Sequence, residues 1–341
     1  MKGATAAVGA LAGVAGLALW FWRGGPKLPP DTDAIIERVA ASDLGHVVAG
    51  ETGYADSSGV RIWYESIPAQ ASEKGVVLLN ISIGGHSLFW PRRFIRGLTE
   101  AGYRVIRYDQ RGTGASDWMP EWRRRHPYTL LDMADDAIAV LDALQVEKTH
   151  VIGLSLGGFV AQEIAIGHPD RVASLTLMST AADPTDQALP APRFGRMLRA
   201  GFTGIPLLRY RLLGGEKNLV KEVIAKTISG LGVESLDVEE TAELVLYDLR
   251  YRRGINLRAV IQHQVAVTIT RSRYESLRSL RVPALVIHGA ADDFLPIEHA
   301  RKLVELIPGA EHLWLDGVGH QFPYPDMPAI TQSIDSHLST G

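Results

Sequence analysis

The stretch that most constrains the fold is Gly153-Leu154-Ser155-Leu156-Gly157. An apolar run, Thr149-His150-Val151-Ile152, precedes it, and a helix-forming run from Leu156 to Gly167 follows. A strand that turns abruptly into a helix is implied. Such a turn holds its central residue in a strained conformation, and glycines two positions to either side relieve the crowding. Gly158 leaves room for close helix packing. The strain lifts Ser155 Oγ above the sheet edge. The helix N-terminus behind it turns N–H groups and a positive dipole end toward any oxyanion that forms there. Gly-x-Ser-x-Gly alone also fits an ordinary turn. The strand before it and the helix after it are what single out a nucleophile.

The rest of the chain supports a sheet of this kind. Alternating or buried apolar runs predict strands at Glu51–Ala55, Gly59–Ser66, Val76–Leu79, Tyr103–Tyr108, His150–Ile152, Val172–Met178, Ala284–His288 and residues 311–315. Helical periodicity predicts helices at Pro91–Ala101, Leu130–Leu144, 297–307 and 327–338, with a short one around Ile35–Ala41. Strands and helices alternating in this way predict an α/β fold with a mostly parallel, doubly wound sheet of eight strands. Ligands of such sheets bind at the carboxyl ends of the strands. The alternation stops between residues 183 and 279, where only helical segments are predicted, near 193–201, 216–230, 235–250 and 255–270. A helical insertion between two strands of one sheet accounts for this, and it is expected over the strand ends and Ser155.

The chain has 341 residues, a formal net charge of −3 and no cysteine. The charge implies no nucleic-acid partner. Without cysteine there are no disulfides, thiolate metal sites or cysteine nucleophile. The histidines do not cluster at zinc-like spacings, so no metal or cofactor is expected. Ala4 to Trp22 is a run of nineteen uncharged residues closed by Trp20-Phe21-Trp22. That is close to the ~20 residues that span a bilayer, with aromatic rings where the interface falls. A transmembrane anchor is expected, and through it a membrane partner and a single-pass location. A cleaved signal peptide with secretion is the rival, but Trp-Phe-Trp makes a poor cleavage site. The expected parsing is 1–25 anchor or signal, 26–50 linker, 51–182 first part of the core, 183–279 helical cap and 280–341 second part of the core.

A serine nucleophile needs a base, and the base needs orientation. Leu285-Val286-Ile287-His288-Gly289 is an apolar strand running into a turn, with Asp292 three residues beyond. Its neighbour Asp293 is the rival, disfavoured by register. Leu315-Asp316-Gly317-Val318-Gly319-His320 sets a histidine in a glycine loop after the last strand. The chain order Ser, Asp, His after the right strands makes Ser155, Asp292 and His320 the candidate set.

With these residues in place the chain resembles the α/β-hydrolase superfamily over residues 50–340. Asp109-Gln110-Arg111-Gly112-Thr113-Gly114-Ala115-Ser116 matches its D-x-R-G-x-G-x-S turn, Gly289-Ala290-Ala291-Asp292 its acid turn and Gly319-His320 its histidine loop. Gly84-Gly85-His86-Ser87-Leu88-Phe89-Trp90-Pro91 is similar to its oxyanion-loop region. Within the superfamily the chain is most similar to capped carboxylic-ester hydrolases of the aclacinomycin methylesterase kind. The resemblance implies oxyanion donors at the backbone N–H groups of Ile83 and Leu156. The chain departs from the pattern in having Ile81-Ser82 where the family has His-Gly or Met-Gly. Asp109 and Arg111 are expected to brace loops, Arg123-Arg124-Arg125 to form a solvated loop, and His86 to play a surface polar role. The expected activity is hydrolysis of a carboxylic ester of an apolar molecule through an acyl-enzyme. The same residues also serve C–C, thioester or amide hydrolysis or perhydrolysis, and a ligand-binding module with little turnover is the reading from another class.

Overall fold

The computed structural model describes residues 20–191, 204–231 and 236–339. The chain forms two compact units that exchange at 44/45, 192/193 and 246/247. The strands are β1 (Glu51–Ser57), β2 (Val60–Ile67), β3 (Gly75–Asn80), β4 (Tyr103–Tyr108), β5 (Thr149–Leu154), β6 (Val172–Met178), β7 (Ala284–Gly289) and β8 (Glu311–Leu315). The helices, in chain order, are α1 (Thr32–Ala40), α2 (Arg92–Glu100), α3 (Leu130–Ala143), α4 (Leu156–Gly167), α5 (Leu208–Leu213), α6 (Glu216–Leu231), α7 (Val238–Tyr251), α8 (Leu257–Ile269), α9 (Tyr274–Arg278), α10 (Ile297–Leu306) and α11 (Met327–Leu338).

The larger unit holds one eight-stranded sheet in the order β1-β2-β4-β3-β5-β6-β7-β8. β1 pairs antiparallel with β2, and β2 with β4; every other pairing is parallel. The two-residue period of a strand sends alternate side chains to opposite faces. On β3, Val77 and Leu79 pack with Phe94 and Leu98 of α2 and Ile330 and Ile334 of α11. Leu78, between them, packs with Ala137 and Leu141 of α3 and Val160 and Ile164 of α4. Both faces are covered, so the parallel strands read as continuous apolar runs. Each such aliphatic side chain contributes about 1.5–3 kcal/mol relative to exposure. The start of α3 is set by a capping box: Thr129 Oγ1 accepts from Asp132 N–H, and Asp132 Oδ2 accepts from Thr129 N–H at 2.7 Å. Asn256 Oδ1 caps α8 by accepting from Arg258 N–H at 3.1 Å.

In the smaller unit, Leu28 packs against a cluster of Leu207, Tyr210 and Ala225. Lys217 pairs with Glu37 at 2.8 Å and Arg38 with Glu239 at 3.0 Å. These pairs are exposed, so they add little to stability and serve mainly to align α1 with α6 and α7.

The amino terminus requires a correction. Among the described residues no helix is long and apolar enough to cross a membrane. Of the run from Ala4 to Trp22, residues 4–19 lie outside the described residues; the described part, residues 20–23, is helical. Among the described residues the fold is the eight-stranded α/β sheet, and the expected transmembrane helix is not found there. Single-pass anchoring and a membrane partner reached through it are not supported.

Candidate active site

β5 ends at Leu154 and α4 begins at Leu156, so Ser155 alone makes the turn. It sits at φ +54° and ψ −112°. Residues with a Cβ rarely adopt this region, and it costs on the order of 1–3 kcal/mol. Neighbours hold it there: Ser155 N–H donates to Met178 O at 2.8 Å, and its own carbonyl accepts from Gly158 N–H at 2.9 Å and Thr180 Oγ1 at 2.9 Å. The flanking glycines are demanded by space. A Cβ on Gly157 would lie 2.0 Å from Asn80 O, and one on Gly153 would lie 2.2 Å from Gly157 O. The first contact brings the end of β3 against the start of α4, so the loop after Asn80 begins beside the turn.

Ser155 Oγ lies 3.0 Å from His320 Nε2, and His320 Nδ1 lies 2.7 Å from Asp292 Oδ2. The three side chains come from the carboxyl ends of β5, β8 and β7. Asp292 is held from behind: its Oδ1 accepts from Phe294 N–H at 2.8 Å and Leu295 N–H at 2.9 Å, which leaves Oδ2 for the imidazole. A carboxylate only accepts, so Nδ1 carries the imidazole proton and Nε2 offers its lone pair to the serine hydroxyl. Burial opposes the charge of Asp292, but the hydrogen bond and charge of His320, the Leu295 N–H and His288 outweigh it. The carboxyl is held below its ordinary range. His288 lies beneath, its Nε2 donating to Leu295 O at 2.8 Å, and burial pushes its pKa down. The Phe294 ring covers one side of His320, with centroids 4.9 Å apart.

The loop after β3 is pinned along its length. Gln110 Nε2 donates to Ile81 O at 3.0 Å, Gly85 N–H to Ser82 O at 3.1 Å and Gly84 N–H to His263 Nδ1 at 3.1 Å. Ser87 donates from N–H and Oγ to Asp109 Oδ1 at 2.9 and 2.7 Å. The left-handed residue of this loop is Gly84, at φ +64°, and Ser82 is outside that region. A side chain at position 82 therefore costs the backbone nothing, and the absence of glycine there is accommodated. Among the described residues, the N–H groups of Ile83 and Leu156 donate to no protein acceptor. Leu156 is the first residue of α4, where helix geometry leaves its N–H free. Among the described residues no group of three or more His, Asp and Glu side chains is disposed to hold a metal ion.

A family model described as the alpha/beta hydrolase fold matches residues 75–324. The chain belongs to this family. The rhodomycin D methylesterase DauP of Streptomyces sp. (strain C5) is 29% identical over 295 residues, which are 82% of this chain and 95% of that protein. The putative carbamate hydrolase RutD of Caulobacter sp. (strain K31) is 26% identical over 278 residues, covering 82% of this chain and 96% of the other. Among solved structures, a hydrolase from Pseudomonas aeruginosa PA01 aligns with a TM-score of 0.60 at 26% identity, over 86% of this chain and 98% of that one. The chain is an enzyme, a hydrolase of the ester-cleaving type.

In this α/β-hydrolase the structure brings Ser155, His320 and Asp292 into one hydrogen-bonded line, and it is Asp292, not Asp293, whose oxygen reaches the imidazole. His86 departs from the expected surface role. It is buried and packed on Phe89 with centroids 4.1 Å apart, and its Nε2 is 3.6 Å from Asp248 Oδ2. Burial, then the charges of Arg252 and Arg107, push its pKa well down, so it is neutral. Asp109 and Arg111 do brace loops: Asp109 also accepts from Ala115 N–H and pairs with Arg252, and Arg111 grips Asp136 of α3 at 2.7 and 2.6 Å. Arg123, Arg124 and Arg125 are exposed. The reading of the residues did not find His263, Gln110, Thr180 or Phe294. Each acts on a partner remote in the chain or through a loop conformation, and His263 is 179 positions from Gly84. Only Gln110 carried a signal, because it stands inside the D-x-R-G turn.

Proposed function

We propose that this hydrolase cleaves carboxylic esters with Ser155 as nucleophile, His320 as general base and Asp292 as the group that orients His320. His320 Nε2 takes the hydroxyl proton as Ser155 Oγ attacks the ester carbonyl. Asp292 Oδ2 keeps the proton on Nδ1 and stabilises the imidazolium. The N–H groups of Leu156 and Ile83 receive the oxyanion of the tetrahedral intermediate. His320 then hands its proton to the departing alkoxide, leaving an acyl-enzyme. Water, deprotonated by the same nitrogen, releases the acid and restores Ser155.

The observation that carries this reading is the line of hydrogen bonds from Ser155 Oγ through His320 to Asp292 Oδ2, at 3.0 and 2.7 Å. It is supported by the strained turn at Ser155 and by the two N–H groups without acceptors. Relatives named for methyl ester hydrolysis support a carboxylic ester as substrate. An apolar substrate is supported by the surroundings: half-exposed Phe294 beside His320, and Val260, whose side chain seats on Gly84. Helix α8, in the segment between β6 and β7, is read as contributing to substrate selection through its contact with the loop after β3.

The test is a series of p-nitrophenyl esters of increasing acyl length, with a fluorophosphonate probe run beside it. Turnover that peaks at a medium acyl chain and rapid labelling of Ser155 are expected. No turnover on any ester together with no labelling would reject the reading.

A further inference from the structure

His263 lies in α8, fully buried, with both ring nitrogens engaged by backbone. Nδ1 is 3.1 Å from Gly84 N and Nε2 is 3.0 Å from Arg111 O. A backbone N–H only donates and a carbonyl only accepts, so the tautomer is fixed: Nδ1 accepts and Nε2–H donates. Only the neutral ring satisfies both partners. Burial depresses its pKa to about 4, outweighing the hydrogen bond to the Arg111 carbonyl, which raises it, with the charge of Arg111 lowering it a little further.

One end of this bridge is rigid. Arg111 is locked by two hydrogen bonds to Asp136 and one to Asp132 O at 2.9 Å, and its guanidinium stacks over Tyr128. The other end is the peptide that joins Ile83 to Gly84. One turn earlier on α8, Val260 bears on the same place: a Cβ on Gly84 would meet its Cγ2 at 2.5 Å. On the far side of the loop, Gln110 holds the carbonyl of Ile81. Ser82 and Ile83 are thus suspended between two side-chain clamps. The loop has no glycine at 82 and turns at Gly84 instead, where His263 grips it.

We propose that His263 is a positioning residue: it orients the Ile83 N–H toward the oxyanion, so that a helix of the inserted segment sets a part of the catalytic machinery. This rests on the reading that Ser155 is the nucleophile and Ile83 a donor. Removing one such donor costs about 10²–10³ in rate in a studied serine hydrolase, and loosening it should cost somewhat less. The two amide variants separate the two bonds. Asparagine carries an oxygen where Nδ1 stands and retains the acceptor for Gly84. Glutamine carries a nitrogen where Nε2 stands and retains the donor to Arg111, leaving Gly84 N–H without its acceptor.

The experiment measures kcat and KM on a p-nitrophenyl ester, the rate of fluorophosphonate inactivation and Tm for the wild type, His263→Asn, His263→Gln and Asn256→Ala. The last removes the cap of α8 and its 2.8 Å bond to Gly112 O without touching the loop after β3. His263→Gln is expected to lose roughly 30-fold in kcat and in inactivation rate with KM within about twofold, and His263→Asn to stay within about threefold of wild type. Asn256→Ala should lower Tm while keeping kcat. Equal losses in the two histidine variants, an effect confined to KM, or a kcat loss in Asn256→Ala that tracks its Tm would overturn the proposal. A wild type that neither turns over ester nor takes the label would fail the underlying reading instead.

Discussion

The environment of Asp292 gives an orienting role a specific consequence. In Asp292→Asn, the two backbone donors at Phe294 and Leu295, 2.8 and 2.9 Å from Oδ1, choose the amide's orientation. An oxygen can accept those bonds and an NH2 cannot, so the amide nitrogen must take the place of Oδ2. It then donates toward His320 Nδ1 across what was a 2.7 Å contact. The imidazole can satisfy it only by accepting at Nδ1, which moves the ring proton to Nε2. A protonated Nε2 facing Ser155 Oγ, 3.0 Å away, has no lone pair for the hydroxyl proton. The equivalent change in a serine protease costs about 10⁴ in kcat, or about 5.4 kcal/mol of transition-state stabilisation. A similar loss in kcat/KM is expected here on p-nitrophenyl esters at pH 8, with fluorophosphonate labelling slowed in parallel and Tm little changed. Asp293→Asn is the control and should stay within about threefold of wild type. An Asp292→Asn enzyme within tenfold of wild type, or one more active than Asp293→Asn, would refute the orientation argument.

Two further outcomes concern pH and stability. His263 and His150 both have pKa values depressed to about 4, chiefly by burial, so the fold prefers both neutral. The unfolded chain takes up these protons below about 6.5 while the native state does not; stability is therefore full above that pH and lost as pH falls toward 4, by about 3 kcal/mol for His263 alone. Urea unfolding between pH 4.5 and 7.5 should show this slope, and His263→Gln should flatten it; an unchanged slope would contradict the buried neutral state. Asp248 is pushed up to about 7 by burial; Arg252 Nε stands 3.7 Å away, and the neutral ring of His86, 3.6 Å away, brings no charge. Its contribution is lost as pH rises through 7, so Asp248→Asn should raise Tm at pH 8 more than at pH 5; the reverse order in thermal melts would contradict this.

What was legible in the chain follows the range of the interactions. The strands at Tyr103–Tyr108 and Val172–Met178 lie where the apolar runs put them, because burial on both faces writes itself into consecutive residues. The turn at Ser155 was legible because local strain demands glycine nearby, and Asp292 because its register after β7 is local. His86 was misread, since nothing adjacent to it foretells a place between Phe89 and Asp248. His263 was invisible because its meaning lies in two backbone groups 179 and 152 positions away. The run from Ala4 to Trp22 offered an apolar length alone; residues 4–19 lie outside the described residues, among which no helix is long and apolar enough to cross a membrane.

The central claim, that Ser155 is the nucleophile, is tested most directly by peptide-level mass spectrometry of fluorophosphonate-treated protein alongside turnover by Ser155→Ala. Ser155 is only 5% exposed and sits in a strained turn 3.0 Å from His320 Nε2, so a single adduct on its peptide is expected. Ser155→Ala should keep the wild-type Tm and lose ester turnover by up to the ~10⁶ seen when a serine-protease nucleophile is removed. An adduct on another residue, or near-wild-type turnover by a clean preparation of Ser155→Ala, would contradict the account.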